Sequence, residues 1–269
     1  MNEEDIRAAD QRLNAVLKAY PALVIAVSGG IDSLTLATIA HRQLPAAPLM
    51  VHALSPAVPA AATARVQELS AREGWNLEEI EAGEFEDPDY RANPYNRCYF
   101  CKSNLYRAIR TLSDDQIASG ANLDDLSDYR PGLIAASEQN VVHPFVEARI
   151  NKATIRELAR RYHLDAYADL PAQPCLASRV ETGVPIRPHD MFFIDTLENA
   201  LHRILGELAT IRVRVRLNGV FVELGEVPDS KTNAGVCDRA REICQNAGYH
   251  FMGITAYRQG SAFVNKAAV

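Results

Sequence analysis

The sequence predicts an α/β fold, in which a doubly wound parallel sheet is followed by a smaller C-terminal α+β domain. Short apolar runs alternate with helical patterns through the first half of the chain, as in parallel sheets with helices on both faces. A glycine-rich turn follows the first apolar run, and near the other end Asn218-Gly219 predicts a β-hairpin. The change of pattern places a domain boundary near residue 185, between domains of residues 1–185 and 186–269.

The elements of the first domain follow from hydrophobic periodicity and from helix caps. The predicted strands are Leu23–Val27, Leu49–Leu54, Leu77–Ile80 and Gln116–Ala121. The predicted helices are Asp5–Ala19, Ile31–Arg42, Ala60–Glu73, Cys98–Leu112 and Lys152–Tyr162, the last with Asn151 as its N-cap. A proline-punctuated loop then runs from Leu170 to Pro188, and loops of this length in compact domains are usually functional.

The second domain combines a hairpin with two helices. Its predicted elements are a helix at His189–Leu205, strands at Ile211–Leu217 and Val220–Leu224, a helix at Ala234–Ala247 and a strand at Phe251–Ala256. Cys237 and Cys244 share one face of the second of these helices, and we expect both to be core packing.

Composition limits the classes of protein to consider. The net charge is −6, which argues against a nucleic-acid partner because such proteins usually present a broad basic surface. No apolar run is long enough to span a membrane, and the acidic first residues carry no apolar signal region, so we expect a cytoplasmic protein. The five cysteines then form no disulfide framework, and their spacing favours a metal or catalytic role.

The most informative motif follows the first predicted strand directly and is Ser28-Gly29-Gly30-Ile31-Asp32-Ser33. Backbone N–H groups at the start of the next helix, approached closely through two glycines, form a pocket for anionic phosphate. Ser28 and Ser33 add hydroxyl groups, and Asp32 either holds a magnesium ion or braces the loop. Gly120 ends another predicted strand, where ligands of such sheets bind. The pattern is neither a Walker loop nor a dinucleotide fingerprint, and an ordinary strand-to-helix turn is the alternative.

Three cysteines precede the predicted domain boundary. Cys98 and Cys101 lie one turn apart in a predicted helix, which fits a redox pair, half a zinc site, part of an iron–sulfur site or plain packing. With Cys175 there are three thiols, which can ligate three irons of a 4Fe–4S cluster and leave the fourth iron open. Cys175 lies among prolines and close to Arg179, a polar and cationic setting that favours a thiolate.

Arginines alternate with valines along one predicted strand, in the run Arg212-Val213-Arg214-Val215-Arg216. The period of two places the three guanidinium groups on one face, where they repel one another unless an anion meets them. Arginine forks suit phosphate, so the first interpretation is a phosphate site for a substrate. A solvated strand face neutralised by Glu223 or Glu226 across the hairpin is the second.

Taken together, four features resemble the ATP-dependent sulfur transferases that build the nickel-pincer nucleotide cofactor, the larE family. They are the Ser28–Ser33 loop, the Cys175 loop ending in Ser178-Arg179, the string Asp128-Tyr129-Arg130-Pro131-Gly132 and the arginine strand. The loop by itself resembles the pyrophosphate-binding loop of the N-type ATP pyrophosphatases. These belong to the PP-loop superfamily, which implies an adenine nucleotide alpha-hydrolase-like fold.

This resemblance implies that ATP and Mg2+ adenylylate a carboxylate of pyridinium-3,5-biscarboxylic acid mononucleotide, with release of pyrophosphate. Cys175 falls at the position of the cysteine that donates sulfur, which becomes dehydroalanine in sacrificial members. Arg212 and Arg214 fall at positions that hold the substrate phosphate. Arg179 and Glu198 line the same site, and Asp229 is the nearest candidate for a second acidic residue.

The chain departs from the sacrificial members in having Cys98 and Cys101. The resemblance therefore points to the branch in which Cys98, Cys101 and Cys175 bind a 4Fe–4S cluster and an open iron carries the sulfur. It also implies a small-molecule nucleotide substrate and a homo-oligomer. Two other hypotheses remain, a tRNA thiolation enzyme with the same loop and a non-catalytic ATP-binding redox or iron sensor.

Overall fold

The computed structural model describes residues 2–126, 130–171, 174–207, 209–226, 228–258 and 260–263. The chain forms two compact units, the first comprising Met1–Glu84 with Cys98–Gln173 and the second Phe85–Arg97 with Pro174–Val269. The second unit thus starts earlier than the boundary near residue 185 that the sequence predicts.

The segment Phe85–Arg97 belongs to the second unit because its backbone and side chains bond to residues after Pro174. Asn93 Nδ2 donates to the carbonyl oxygens of Glu181 and Val184, each at 2.8 Å, and the Ile186 N–H donates to the Arg91 carbonyl at 2.9 Å.

In the described residues the strands are β1 (Leu23–Ala26), β2 (Leu49–Leu54), β3 (Asn76–Glu81), β4 (Gln116–Ser119), β5 (Ile211–Arg216), β6 (Gly219–Leu224) and β7 (Phe251–Ala256). The helices are α1 (Glu3–Lys18), α2 (Ile31–Gln43), α3 (Ala60–Glu73), α4 (Pro88–Arg91), α5 (Arg97–Arg110), α6 (Pro131–Glu138), α7 (Pro144–Glu147), α8 (Lys152–Arg161), α9 (Asp165–Ala168), α10 (Pro188–Leu205) and α11 (Ser230–Asn246). Short 3₁₀ turns cover Leu123–Leu126 and Leu176–Arg179.

The sheet of the first unit is parallel throughout, with the strand order β3-β2-β1-β4. Alternate residues of β1 enter two different cores, since Leu23 and Ile25 pack with α1, α2 and α8, whereas Val24 and Ala26 pack with α5. A strand buried on both faces needs apolar residues at consecutive positions, which is the pattern of this run. The predicted α/β class, with a parallel sheet covered on both faces, is therefore confirmed for this unit.

The second unit contains a three-stranded mixed sheet with the order β5-β6-β7. β5 and β6 form the antiparallel hairpin that Asn218-Gly219 predicts, with Arg216 opposite Gly219, and β7 runs parallel to β6 after α11 crosses over. Cys244 is fully buried on α11, and its burial raises the pKa of the thiol to about 11, as expected for packing. Cys237, which the sequence also predicted to be core packing, is half-buried.

No helix in the described parts of the chain is both long enough and apolar enough to cross a membrane.

Candidate functional site

The predicted phosphate loop, residues Ser28–Ser33, lies where the sheet of the first unit changes direction. From β1 the chain winds outward through β2 and β3, and then returns to place β4 on the other side of β1. Ligands of open parallel sheets bind beyond the carboxyl ends of the strands at this switch point. The phosphate loop follows β1 and Gly120 follows β4, so both predicted elements border it.

Hydrogen bonds within the phosphate loop hold its backbone open toward the start of α2. The Ser33 hydroxyl accepts from the Ser28 N–H at 3.0 Å and donates to the Gly30 carbonyl at 3.0 Å, and the two serine hydroxyls are 3.1 Å apart. Gly30 is the N-cap of α2 and has no side chain that could cap the first N–H groups of the helix. These donors point toward the position that a phosphate takes at a helix start.

The glycines of this region serve different purposes. Gly29 has φ +76°, and a Cβ built there would lie 2.4 Å from the Ala62 carbonyl oxygen on α3. A Cβ on Gly120 would lie 2.9 Å from the Ser33 nitrogen, so Gly120 lets the end of β4 approach the loop. A Cβ on Gly30 would meet only the Ser28 hydroxyl at 3.6 Å. Gly29 and Gly120 are thus required for packing, while Gly30 leaves room for a ligand.

Among the described residues, two cationic side chains contact the phosphate loop. Neither belongs to a motif used in the sequence analysis. Lys152, at the first position of α8, places its Nζ 2.8 and 2.6 Å from the two carboxylate oxygens of Asp32. Arg65 on α3 donates through Nε to the Gly29 carbonyl at 3.0 Å. Burial raises the pKa of Asp32, and the charge of Lys152 opposes that rise. The burial of Arg65 lowers the pKa of its guanidinium.

The donor set of this region fits an ATP polyphosphate with magnesium. Backbone N–H groups, Lys152 and Arg65 supply hydrogen-bond donors and positive charge, and Asp32 supplies the carboxylate oxygens that magnesium prefers. The side chains of Lys152 and Asp32 are 30% and 28% exposed, so a ligand from solvent can reach both.

His143 contacts the end of β4, with its Nδ1 2.9 Å from the Ser119 hydroxyl. Burial lowers the pKa of the imidazole from 6.5, while Glu147 and Asp125 raise it and Lys102 lowers it. The unfolded chain therefore binds a proton at higher pH than the folded chain, and the stability of this unit falls as the pH drops below about 6.5.

We expect His143→Gln to flatten the decrease in urea midpoint between about pH 7.5 and 5.5, because the substitution removes this half-buried titrating group. The exposed His163 provides the control, and His163→Asn should leave the decrease unchanged. Equal slopes for the His143→Gln variant and the unaltered chain would show that another group causes the pH dependence.

The second unit contains an arginine cluster, made of Arg179, Arg212, Arg214 and Arg216 with Glu198 and Glu223. Arg179 binds Glu198 through two hydrogen bonds, from Nε at 3.0 Å and from Nη2 at 2.9 Å. Glu198 also accepts from the Val213 N–H of β5 at 2.9 Å. Burial lowers the pKa of Arg179, but the carboxylate of Glu198 raises it by more. The pKa of Arg179 therefore lies above its usual value.

The predicted arginine face of β5 is buried instead of solvated. Arg212 and Arg214 are 8% and 4% exposed. Arg214 donates to Glu223, on the neighbouring strand β6, at 2.8 Å. Arg216 bonds to the same carboxylate at 3.0 Å. Glu223 is one of the two carboxylates that the sequence suggested for neutralising this strand.

Arg212 lies close to two other cations of the arginine cluster. Burial lowers the pKa of Arg212, and the charges of Arg179 and Arg214 lower it further, while Glu198 opposes them. Burial likewise lowers the pKa of Arg214, although Glu223 raises it. Buried cations that repel one another create a field that attracts an anion. The phosphate site that the sequence pattern suggested here stays a prediction.

Cys175 precedes the 3₁₀ turn Leu176–Arg179 and is half-buried. The arginine cluster is hydrogen-bonded to the backbone around this turn. Arg179 Nη1 donates to the carbonyl oxygens of Pro174 at 2.6 Å and of Cys175 at 3.2 Å. Arg214 donates to the Ser178 carbonyl at 3.0 Å. The cluster thus fixes the backbone that carries the predicted sulfur-donating thiol.

The other two predicted cluster ligands lie in the first unit. Cys98 and Cys101 are half-buried on the first turns of α5, one helical turn apart as predicted. Gly132, from the string that supports the family resemblance, packs on the same turn of α5, and a Cβ there would lie 3.1 Å from Lys102 Cγ and 3.7 Å from the Cys98 carbonyl oxygen. Within each unit, the described residues bring no three His, Cys, Asp or Glu side chains together as metal ligands. The iron–sulfur cluster stays a prediction.

Some predicted positions have other roles or are not described. Asp128 and Tyr129, from the string that supports the family resemblance, lie outside the described residues, as do Ala172 and Gln173 of the loop before Cys175. Asp229 is the N-cap of α11 and accepts from the Lys231 and Thr232 N–H groups. In the arginine cluster, Glu223 pairs with Arg214 and Arg216, and the role suggested for Asp229 stays a prediction.

Comparison with known proteins gives three relatives, although no protein-family model matches the chain. The chain is 35% identical over 208 residues to the uncharacterized protein slr1717 of Synechocystis sp., and the match covers 75% of each protein. It is 28% identical over 206 residues to the uncharacterized protein MJ0830 of Methanocaldococcus jannaschii, covering 75% of this chain and 77% of the relative. It is 25% identical over 257 residues to pyridinium-3,5-bisthiocarboxylic acid mononucleotide synthase of Lactiplantibacillus plantarum, covering 92% of this chain and 91% of that synthase.

Proposed function

The chain belongs to the family of the Synechocystis protein slr1717 and is distantly related to a pyridinium-3,5-bisthiocarboxylic acid mononucleotide synthase, and from this we propose that it is an ATP-dependent sulfur transferase. Its substrate in this proposal is pyridinium-3,5-biscarboxylic acid mononucleotide, and its product carries a thiocarboxylate. The observation that carries the proposal is the phosphate loop at the switch point of a parallel sheet, with Lys152 and Arg65 in contact with it. The fold of the first unit is compatible with that of the PP-loop superfamily.

Activation of the carboxylate is the first step that we assign. A carboxylate oxygen of the substrate attacks the α-phosphorus of ATP, the bond to the β-phosphate breaks, and pyrophosphate leaves. The phosphate loop and Lys152 orient the polyphosphate and offset its charge, and magnesium held at Asp32 would add to that neutralisation. Without this step the carboxylate lacks a leaving group.

The substrate phosphate is assigned to the arginine cluster, chiefly to Arg212 and Arg214. A guanidinium has five N–H donors, so an arginine that already binds a carboxylate can also donate to a phosphate. Both arginines are buried, which strengthens such bonds relative to those at a solvated surface.

Sulfur transfer is assigned to Cys175. Its thiolate attacks the activated carbonyl carbon, AMP leaves with the bonding electron pair, and a thioester links the protein to the substrate. In a sacrificial reaction, a base then removes the Cα proton of Cys175 and the Cβ–S bond breaks. The thiocarboxylate departs and dehydroalanine remains in the chain.

The test is the variant Cys175→Ala, with ATP, Mg2+ and pyridinium-3,5-biscarboxylic acid mononucleotide. We expect it to release pyrophosphate at a rate near that of the unaltered chain but to form no thiocarboxylate, because only the nucleophile is lost. Cys237→Ala, a half-buried cysteine of the same unit, is the control and should keep both steps. Thiolated product from the Cys175→Ala variant would exclude Cys175 as donor.

Mass spectrometry and iron analysis then distinguish the two modes of delivery. A loss of about 34 Da from the chain after one turnover, the mass of the hydrogen sulfide removed, identifies sacrificial chemistry. About four irons per chain after anaerobic reconstitution, lost in Cys98→Ala, Cys101→Ala and Cys175→Ala, identifies the three-thiolate cluster.

Salt-sensitive binding of bulk tRNA would favour a tRNA thiolation enzyme instead. ATP binding without pyrophosphate release would favour a sensor.

A further inference from the structure

We propose that Lys152 and magnesium compete for Asp32, so that their ion pair locks the phosphate loop until a magnesium-bound nucleotide opens it. Lys152 then transfers to the phosphate oxygens and serves as a positioning residue for the pyrophosphate. The inference rests on the proposed function for its nucleotide, while the competition itself concerns residues of the first unit alone.

The geometry of the pair favours competition between the two cations. Lys152 Nζ lies 2.8 Å from one carboxylate oxygen of Asp32 and 2.6 Å from the other, so it uses both oxygens at once. A magnesium ion that ligates either oxygen brings a double positive charge next to the ammonium. The two cations repel each other, so each weakens the binding of the other to the carboxylate.

The backbone of Lys152 stays in place when its side chain moves. Its N–H donates to Asp124 at 3.0 Å, and Asn151 caps α8 through the Thr154 N–H at 3.0 Å. The lysine side chain is a flexible four-carbon stem with three donors at its tip. A displaced ammonium therefore stays beside the start of α2, where the phosphates of the nucleotide arrive.

A purely structural role for the pair is a weaker explanation. α2 and α8 are already joined by apolar packing, since Leu34 of α2 and Ile155 and Leu158 of α8 share one buried core. The ion pair itself is about one third exposed on each side, which makes it a small contributor to stability and leaves it reachable from solvent.

The experiment compares Lys152→Met and Lys152→Arg in the full chain, using calorimetry with Mg2+ alone and with α,β-methylene ATP, an analogue that cannot be cleaved at the α–β bond. We expect Lys152→Met to bind Mg2+ about fivefold more tightly and the metal-free analogue about fivefold more weakly, the size of one solvent-screened charge interaction. Lys152→Arg retains the charge and should resemble the unaltered chain. The exposed Lys18→Met is the control.

Two results would overturn the proposal. One is an unchanged Mg2+ affinity in the Lys152→Met variant together with a lower melting temperature, which indicates a structural tie. The other is a gain in Mg2+ affinity that persists in the double variant Lys152→Met/Asp32→Asn, which places the metal elsewhere. If the unaltered chain binds no ATP analogue, the proposed function fails, but tighter Mg2+ binding by Lys152→Met alone would still support the competition.

Discussion

Gly29→Ala is expected to destabilise the first unit by about 2–4 kcal/mol and to abolish nucleotide binding. Gly29 has φ +76°, a conformation that alanine adopts at a cost, and its Cβ would lie 2.4 Å from the Ala62 carbonyl oxygen and 2.8 Å from the carbonyl carbon. Both atoms belong to the backbone of α3, which cannot turn aside as a flexible side chain can. Either the phosphate loop or the helix must therefore move.

Gly74 provides a matched control for the cost of the backbone conformation. It ends α3 with φ +71°, and a Cβ built there meets no atom within 4 Å. Gly74→Ala should therefore cost about 1 kcal/mol and leave ATP binding intact. Urea unfolding and calorimetry with the ATP analogue measure both effects. Equal losses in the two variants would show that the contact with α3 is unimportant.

Local sequence pattern predicts the elements of the fold well where one strand or helix carries its own evidence. Val24 and Ala26 alternate with Leu23 and Ile25 in an uninterrupted apolar run, and the strand is covered on both faces as such a run requires. The Asn218-Gly219 hairpin and the N-cap Asn151 are likewise present, because both depend on interactions within a few residues.

Features that depend on distant parts of the chain were not predicted. Lys152 meets Asp32 across 120 positions of sequence, and no spacing rule connects an isolated lysine to a loop so far away. The period of two in β5 correctly groups the arginines, and the hairpin offered Glu223 as a partner for them. The contact between Arg179 and Glu198 on α10 depends on tertiary packing, and local pattern alone did not predict it.

The second large effect is expected for Arg179→Met, which should lower the free energy of unfolding of the second unit by about 3–5 kcal/mol. Arg179 and Glu198 have side chains 3% and 8% exposed, so the substitution leaves a buried carboxylate without its counter-charge. It also releases the carbonyl oxygens of Pro174 and Cys175 from Arg179 Nη1. We therefore expect iodoacetamide to modify Cys175 faster in this variant.

Two further variants separate charge from geometry. Arg241→Met breaks an exposed pair with Asp238 on α11 of the same unit and should cost less than about 1 kcal/mol. Adding Glu198→Gln to Arg179→Met removes the stranded charge but keeps an acceptor for the Val213 N–H, so it should recover most of the lost stability. If it recovers stability while Cys175 still reacts quickly, Arg179 acts by holding the cysteine turn. If neither changes from the single variant, the bonds to the carbonyl oxygens dominate the loss.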